Sequence, residues 1–259
     1  MAFNSFLFVS VFAFISCTSP NETKHKTSRP IVVQDSSEIT KYRQQHTSDS
    51  IPSTSTGSVS NGQLKHGKLV PFDGDNFRYF DTTSYLNDRA FVHDKVLKTV
   101  LETYRVLASS PPGRTFTIME CSHKNGGKLY PHRTHQNGLS IDFMMPLVKD
   151  GKPYYKLDTI GQFHYLLDFD NTGRLTQDTS IHIDFELVAN HIVTLDSVGS
   201  TNGLSIKKVI VNTDLKDELY AGSWGTRLKT SSVYVVRSLT PLINSLHDDH
   251  YHIDFEIID

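Results

Sequence analysis

The sequence of 259 residues has only two cysteines, Cys17 and Cys121, and no excess of charge of either sign. Two cysteines form at most one disulfide and cannot supply a four-cysteine zinc site, so any metal must be held by histidines and carboxylates. The formal net charge of -2 gives no basic face of the kind that binds nucleic acid, and we expect no nucleic-acid partner. The composition, 37% hydrophobic and 21% charged, is typical of a soluble globular protein.

The N-terminus lacks an apolar run long enough to anchor the chain stably in a bilayer. Residues 6–15 are apolar, and a run of this length fits the core of a signal peptide. A small residue and Cys17 follow, which is similar to the lipobox of bacterial lipoproteins. We therefore expect a signal peptide over residues 1–17, export to the bacterial periplasm, and membrane anchoring as a lipoprotein through Cys17. An ordinary secretory signal with an incidental cysteine is the alternative.

The segment that follows is poor in large apolar residues and rich in Ser, Thr, Lys and Gln. Such a segment cannot bury enough surface to offset its ordering entropy, so residues 18–56 are interpreted as a flexible linker. The folded domain is predicted over residues 57–259. Neither length nor composition indicates an oligomeric state.

Periodicity within the domain predicts a mixture of helices and strands in no strict alternation. Helical spacing covers residues 88–108, 185–193 and 214–220, whereas residues 115–121, 140–144, 208–211 and 251–258 are typical of strands. A hairpin is predicted over residues 165–183, with its turn at residues 170–173. Residues 233–246 are ambiguous. The pattern favours an α+β fold.

Two short stretches concentrate histidines and acids. The first, HRTHQNGLSID, spans residues 132–142, and the second, HDDHYH, spans residues 247–252. A turn at Asn137-Gly138 can bring His135 back beside a strand that carries Asp142. His250 and His252 are two residues apart on a predicted strand, so their imidazoles share one face.

Imidazole nitrogens and carboxylate oxygens are ligands that zinc accepts, and a catalytic zinc site keeps a position open for water. His135, Asp142 and His252 are therefore candidates for a hydrolytic zinc site. From these residues alone, non-catalytic binding of zinc or copper remains open, as does an ordinary surface or structural role for each histidine.

The two stretches resemble the H-x-x-H-Q-x-G-L-x-x-D and H-x-x-H-x-H signatures of the penicillin-insensitive murein endopeptidases. The likeness extends from GSVSNGQLKHG at residue 57 to the C-terminus and includes VIVNTDLKDEL at residue 209. The family is related to D-Ala-D-Ala dipeptidases and carboxypeptidases and to the hedgehog N-terminal domain. The resemblance implies their shared zinc peptidase fold, a small antiparallel sheet flanked by helices.

The resemblance implies zinc ligation by His135, Asp142 and His252. It places three further histidines around the metal, with His250 beside the attacking water and the developing oxyanion: His132, His247 and His250. The implied enzyme is a zinc metalloendopeptidase that hydrolyses the D-alanyl–diaminopimelyl crosslinks of peptidoglycan during cell-wall remodelling.

The sequence does not decide which residue is the general base. Asp249 lies three residues before His252, the offset at which the related dipeptidases carry a catalytic carboxylate, and His247 and His250 are its rivals. The bond cleaved is open as well, because a D,D- or L,D-carboxypeptidase or dipeptidase would use the same ligands. The third alternative is a zinc-binding cell-wall module without catalysis.

Overall fold

The structure is a computed structural model that describes residues 36–109 and 113–258. The predicted signal peptide, the possible lipidation site at Cys17 and the first part of the predicted linker lie outside the described residues. Among the described helices, none combines the length and the apolar character needed to cross a bilayer.

Strands and helices alternate irregularly along the described chain. The strands are β1 (Thr54–Ser58), β2 (Asn61–Lys65), β3 (Lys68–Leu69), β4 (Phe77–Tyr79), β5 (Phe91–Val92), β6 (Phe116–Ile118), β7 (Ser140–Met144), β8 (Leu147–Lys149), β9 (Lys152–Tyr154), β10 (Arg174–Leu175), β11 (Asp178–Ile183), β12 (Leu204–Ile210) and β13 (His250–Ile257). The α-helices are α1 (Ser36–Gln45), α2 (Thr82–Leu86), α3 (Asp94–Ala108), α4 (Phe185–Thr201), α5 (Lys216–Ala221), α6 (Ser223–Thr230) and α7 (Pro241–Ser245), and 3-10 helices cover Leu157–Thr159, Gly161–Leu166 and Thr213–Leu215. The predicted α+β class is confirmed.

The central sheet has five strands in the order β12-β13-β7-β6-β4. Its pairs are antiparallel except β4 with β6, which run parallel. The register of β13 and β7 sets His252 opposite Asp142 and Tyr251 opposite Phe143. Because successive residues of a strand point to opposite faces, the two pairs lie on different sides of the sheet.

The face that carries Phe143 and Tyr251 packs against the helices. Helices α3 and α4 contact each other, and α4 also contacts β12. The apolar residues of α3 recur at helical spacing, and the buried ones include Val96, Val100 and Tyr104. Helix α3 begins at Asp94 instead of residue 88, because Phe91 and Val92 pair with β3 as a strand. The opposite face of the sheet is left for polar residues.

The folded part of the chain begins before the predicted boundary at residue 57. Residues 36–45 form α1, and its Ile39 and Tyr42 are buried in the hydrophobic core. The linker prediction over residues 18–56 is therefore corrected at its C-terminal end. Two large apolar side chains three residues apart are enough to dock this short helix, although its overall composition is polar.

A second sheet has the order β10-β11-β8-β9, and its strand β8 follows β7 of the central sheet after two residues. The predicted hairpin turn is present, since the Gly173 N–H donates to the Asp170 carbonyl at 2.8 Å. The N-terminal part of the predicted hairpin differs, because Gly161–Leu166 forms a 3-10 helix instead of a strand. This helix reaches the polar face of the central sheet.

Candidate active site

The site is built on the paired strands β7 and β13. Asp142 and His252 face each other across the strands, and Asp142 Oδ1 lies 2.7 Å from His252 Nδ1. Both side chains are buried. Sheet register alone thus brings together two residues that are separated by 110 positions in the chain.

His135 reaches the same carboxylate from a loop. Its Nε2 lies 3.2 Å from Asp142 Oδ1, and its ring centroid lies 4.8 Å from that of His252. The loop needs the left-handed region twice, at His135 with φ of 67° and at Gly138 with φ of 78°. A Cβ at Gly138 would come within 2.8 Å of the His93 backbone nitrogen, so glycine is required there. The predicted turn at Asn137-Gly138 is therefore present.

His132 completes this side of the site. Its Nδ1 lies 3.5 Å from Asp142 Oδ2, and its ring centroid lies 4.9 Å from that of His135. The preceding loop is held by Arg89, whose Nη1 donates to the Tyr130 carbonyl at 3.0 Å. The Arg89 Nε donates to the buried Glu120 carboxylate, which fixes the guanidinium in turn.

Three side chains can together hold a metal ion, with ligand atoms within 4.8 Å of one another: His132, His135 and Asp142. Both ring nitrogens of His135 and Oδ2 of Asp142 are buried without a hydrogen-bond partner among the residues that the structure describes. Such groups are costly unless a ligand satisfies them. The His135 Nε2–Asp142 Oδ1 distance of 3.2 Å is also close to the separation of about 3.3 Å between two ligands of a tetrahedral zinc. The residues fit a metal ion.

His252 is not one of the three residues in that metal-binding group, but its hydrogen bonds resemble those of a metal-ligating histidine. Its Nε2 donates to Asp254 Oδ1 at 2.7 Å, which leaves Nδ1 facing Asp142. The Asp254 carboxylate is buried and is held by Ser140 Oγ at 2.5 Å and Lys208 Nζ at 3.0 Å. A histidine that ligates a metal usually donates its other ring N–H to a carboxylate in this way.

Sequence reasoning missed Asp254. The signal was present, because the alternation of β13 puts residues 250, 252 and 254 on one face. The strand was recognised, but its third polar residue was not connected with the histidines.

The electrostatics of the site reflect the concentration of acids. Burial lowers the pKa of His252, but the carboxylates of Asp254 and Asp142 outweigh it and raise the value to about 10. Burial raises the pKa of Asp142, yet His135 and His252 hold it well below its usual range. Burial lowers the pKa of His132 to about 3. The carboxylates therefore favour positive charge at this spot, which a divalent cation would supply.

The second histidine stretch borders the same site. His250 Nδ1 pairs with the buried Asp249 carboxylate, and the His250 ring lies 4.9 Å from that of His247 between centroids. The His247 Nδ1–H donates to the Ile243 carbonyl at 2.7 Å. All the predicted site residues therefore meet on one face of the sheet, and their individual roles stay predictions.

The 3-10 helix Gly161–Leu166 adds two residues that sequence reasoning did not connect with the site. His164 is fully buried, and its Nε2 lies 3.1 Å from the Asp249 carbonyl oxygen. The Tyr165 ring stands edge-on to the His250 ring, with centroids 5.3 Å apart and an interplanar angle of 86°. No spacing in the sequence links these positions to the histidine stretches.

Comparison with known proteins supports the resemblance noted from the motifs. The family model for penicillin-insensitive murein endopeptidase matches residues 55–257. No significant match was found among the curated proteins. Because the family match spans most of the chain and includes every residue of the site, the chain belongs to the penicillin-insensitive murein endopeptidase family.

Proposed function

We propose that the protein is a zinc-dependent endopeptidase that hydrolyses peptide crosslinks of peptidoglycan, of the D-alanyl–diaminopimelyl type. Family membership supports peptidase activity on this substrate. The observation that carries the metal dependence is the set of buried ligand atoms on His135 and Asp142, next to His252, that have no hydrogen-bond partner among the described residues.

Zinc is the metal that this donor set favours. Imidazole nitrogens with one carboxylate, and no thiolate, match the ligands of hydrolytic zinc sites. When bound, zinc would act as a Lewis acid on the scissile carbonyl and lower the pKa of a water.

We propose His135, Asp142 and His252 as the three zinc ligands. His132 and His252 compete for the third place, since each lies beside one oxygen of Asp142. The support for His252 is the buried carboxylate of Asp254 behind its Nε2, which fixes the tautomer that leaves Nδ1 available to a metal. His132 then lines the site at its half-buried edge.

Two histidines of the second stretch are suited to moving protons. The His247 Nδ1–H is committed to the Ile243 carbonyl, so Nε2 carries the lone pair and can accept the proton of the attacking water. His250 can return a proton to the leaving amine. The carboxylate of Asp249 is committed to His250 Nδ1, so we assign Asp249 the role of positioning His250. This assignment replaces the hypothesis that Asp249 itself is the base.

We further propose that the protein works outside the cytoplasmic membrane, in the bacterial periplasm, where peptidoglycan lies. The apolar run over residues 6–15 and the small residue before Cys17 support a signal peptide and a lipid anchor. Labelling with a radioactive fatty acid tests the anchor. Loss of the label in Cys17→Ala would support it, whereas a wild-type chain without label would reject it.

The enzymatic proposal is tested on purified sacculi. The wild-type protein with zinc should convert crosslinked muropeptide dimers into monomers, and a chelator should abolish the reaction until zinc is restored. Release of terminal D-alanine with dimers intact would instead identify a carboxypeptidase. Tight zinc binding without any released product would identify a catalytically silent module.

A further inference from the structure

Tyr165 occupies a defined place beside His250 of the candidate site. Its ring meets the His250 ring edge-on, with centroids 5.3 Å apart, and meets Phe80 at 5.8 Å and 83° on another side. Two perpendicular ring contacts leave the phenol little freedom to rotate away. The position of its hydroxyl is therefore set by the fold.

The Tyr165 hydroxyl has no partner in the part of the chain that the structure describes. Its oxygen is buried, and no described group donates to it or accepts from it. A buried donor left without an acceptor costs folding free energy, so such groups are rare unless a ligand or a reacting group uses them. The hydroxyls of Tyr79 and Tyr85 both donate to backbone carbonyls. The Tyr104 hydroxyl is also buried without a described partner, but its ring lies among Phe77 and Phe116 in the core, whereas the Tyr165 ring borders His250.

The Tyr165 hydroxyl stays protonated at neutral pH and therefore remains a hydrogen-bond donor. Burial raises the pKa of Tyr165 well above its usual range, and the negative charges of Asp142 and Glu120 raise it further. These acids belong to the site and to its supporting residues. The phenol therefore stays protonated and can donate a hydrogen bond.

The residue that precedes Tyr165 is held in place. His164 is fully buried, and its Nδ1 lies 3.0 Å from the Leu157 oxygen and its Nε2 3.1 Å from the Asp249 oxygen. In the preceding 3-10 helix, Leu157–Thr159, Asp158 lies 3.9 Å from the Arg114 guanidinium, and both are buried. Because the Tyr165 hydroxyl is already held in place, little reorganisation of the protein is needed when the reaction occurs.

We propose that Tyr165 is a catalytic residue that donates a hydrogen bond to the oxyanion developing on the scissile carbonyl. This inference rests on the proposed peptidase function. Water adds through a new C–O bond, the carbonyl electron pair moves to oxygen, and the water proton goes to His247. The oxyanion electron pair then re-forms the C=O bond while the C–N bond breaks, and the nitrogen leaves with the electron pair of that bond and takes a proton from His250. The Tyr165 O–H bonds most strongly to the charged oxygen and so favours the transition state over the substrate.

The test is Tyr165→Phe, which keeps the ring contacts and removes only the hydroxyl. We expect kcat on a crosslinked muropeptide to fall by about 10²–10³-fold with KM nearly unchanged. Zinc content should equal that of the wild type. The thermal midpoint should be equal or higher, because the variant no longer buries an unpartnered donor.

A second readout does not depend on turnover. Tyr165→Phe should weaken binding of a tetrahedral phosphinate analogue of the crosslink by about the same 10²–10³-fold. Binding of an uncleavable planar peptide should not change. The matched control is Tyr154→Phe on β9, a half-buried tyrosine whose ring lies under Lys149, which should keep wild-type kcat.

Unchanged kcat in Tyr165→Phe would overturn the inference, as would equal weakening of both ligands, which would mean that the hydroxyl only shapes the groove. Failure of the proposed function is seen separately, in the wild type. A wild-type protein that shows no zinc-dependent hydrolysis would remove both the proposed function and this inference.

Discussion

Two buried histidines on opposite faces of the central sheet have opposite surroundings. His191 lies on the helix-covered face, stacked near Tyr104 and Phe116, and its Nδ1 is 2.7 Å from the Tyr251 hydroxyl. His252 follows Tyr251 in the chain but points to the other face, between two carboxylates. Burial lowers the pKa of His191 to about 3, whereas the carboxylates raise that of His252 to about 10.

The contrast shows that the partners of a buried histidine, and not residue type or burial alone, set the direction in which its pKa moves. An aromatic shell keeps His191 neutral and makes it part of the packing. Paired carboxylates favour positive charge at His252, which suits a metal site. A single strand therefore contributes Tyr251 to the core and its neighbour His252 to the proposed zinc site.

The largest expected effect separates these two histidines directly. His252→Ala should lower crosslink hydrolysis by at least about 10³-fold and abolish stoichiometric zinc binding, because a ligand is lost. His191→Phe should keep kcat and zinc content, yet destabilise the fold by about 1–3 kcal/mol, since the Tyr251 hydroxyl loses its partner. Turnover, metal analysis and denaturant unfolding of both variants measure this. A folded His191→Phe without zinc would contradict the comparison.

The next largest effect, on zinc affinity, is expected for Asp254, whose carboxylate bonds to His252 Nε2. Asp254→Asn should weaken zinc affinity by about 10–100-fold, because the carboxylate no longer fixes the imidazole tautomer. Competition with a chromophoric chelator measures the affinity. Glu256→Gln is the matched control, since Glu256 lies two residues further along the same strand and is exposed. Equal affinity of both variants would mean that Asp254 serves only the fold.

A smaller effect is expected for Asp249, and a double-mutant cycle reveals its nature. Asp249→Asn should lower kcat by roughly 10²-fold, because His250 loses the carboxylate that orients it. In a His250→Ala background the same change should have almost no further effect. Independent, additive losses in the two backgrounds would restore Asp249 as a candidate base.

The sequence predicted the part of the site that lies within short motifs. His135 and Asp142 are separated by one loop, and the turn glycine between them signals how the loop folds back. The alternation of β13 indicated that His250 and His252 share a face, and it held an unused signal for Asp254. These features depend on residues that are close together in the chain, so the short-range sequence pattern is enough to predict them.

Neither the position of Tyr165 at the site nor the helix α1 could be predicted from the sequence, and the reason is physical. Tyr165 reaches the site through contacts such as His164 with the Asp249 carbonyl, which join positions 85 residues apart. No periodicity encodes such a contact. Helix α1 is held by two apolar side chains on a polar segment, and its stability comes from the surface onto which Ile39 and Tyr42 dock.

The most direct test of the central claim is anomalous diffraction at the zinc edge from crystals of the zinc-loaded protein. The account predicts one strong peak on the polar face of the sheet, bounded by His135 Nε2, Asp142 and His252 Nδ1, with the His252 Nε2 still bonded to Asp254. A peak ligated by His132 in place of His252 would contradict the ligand assignment. The absence of a peak on this face would contradict the metal site itself.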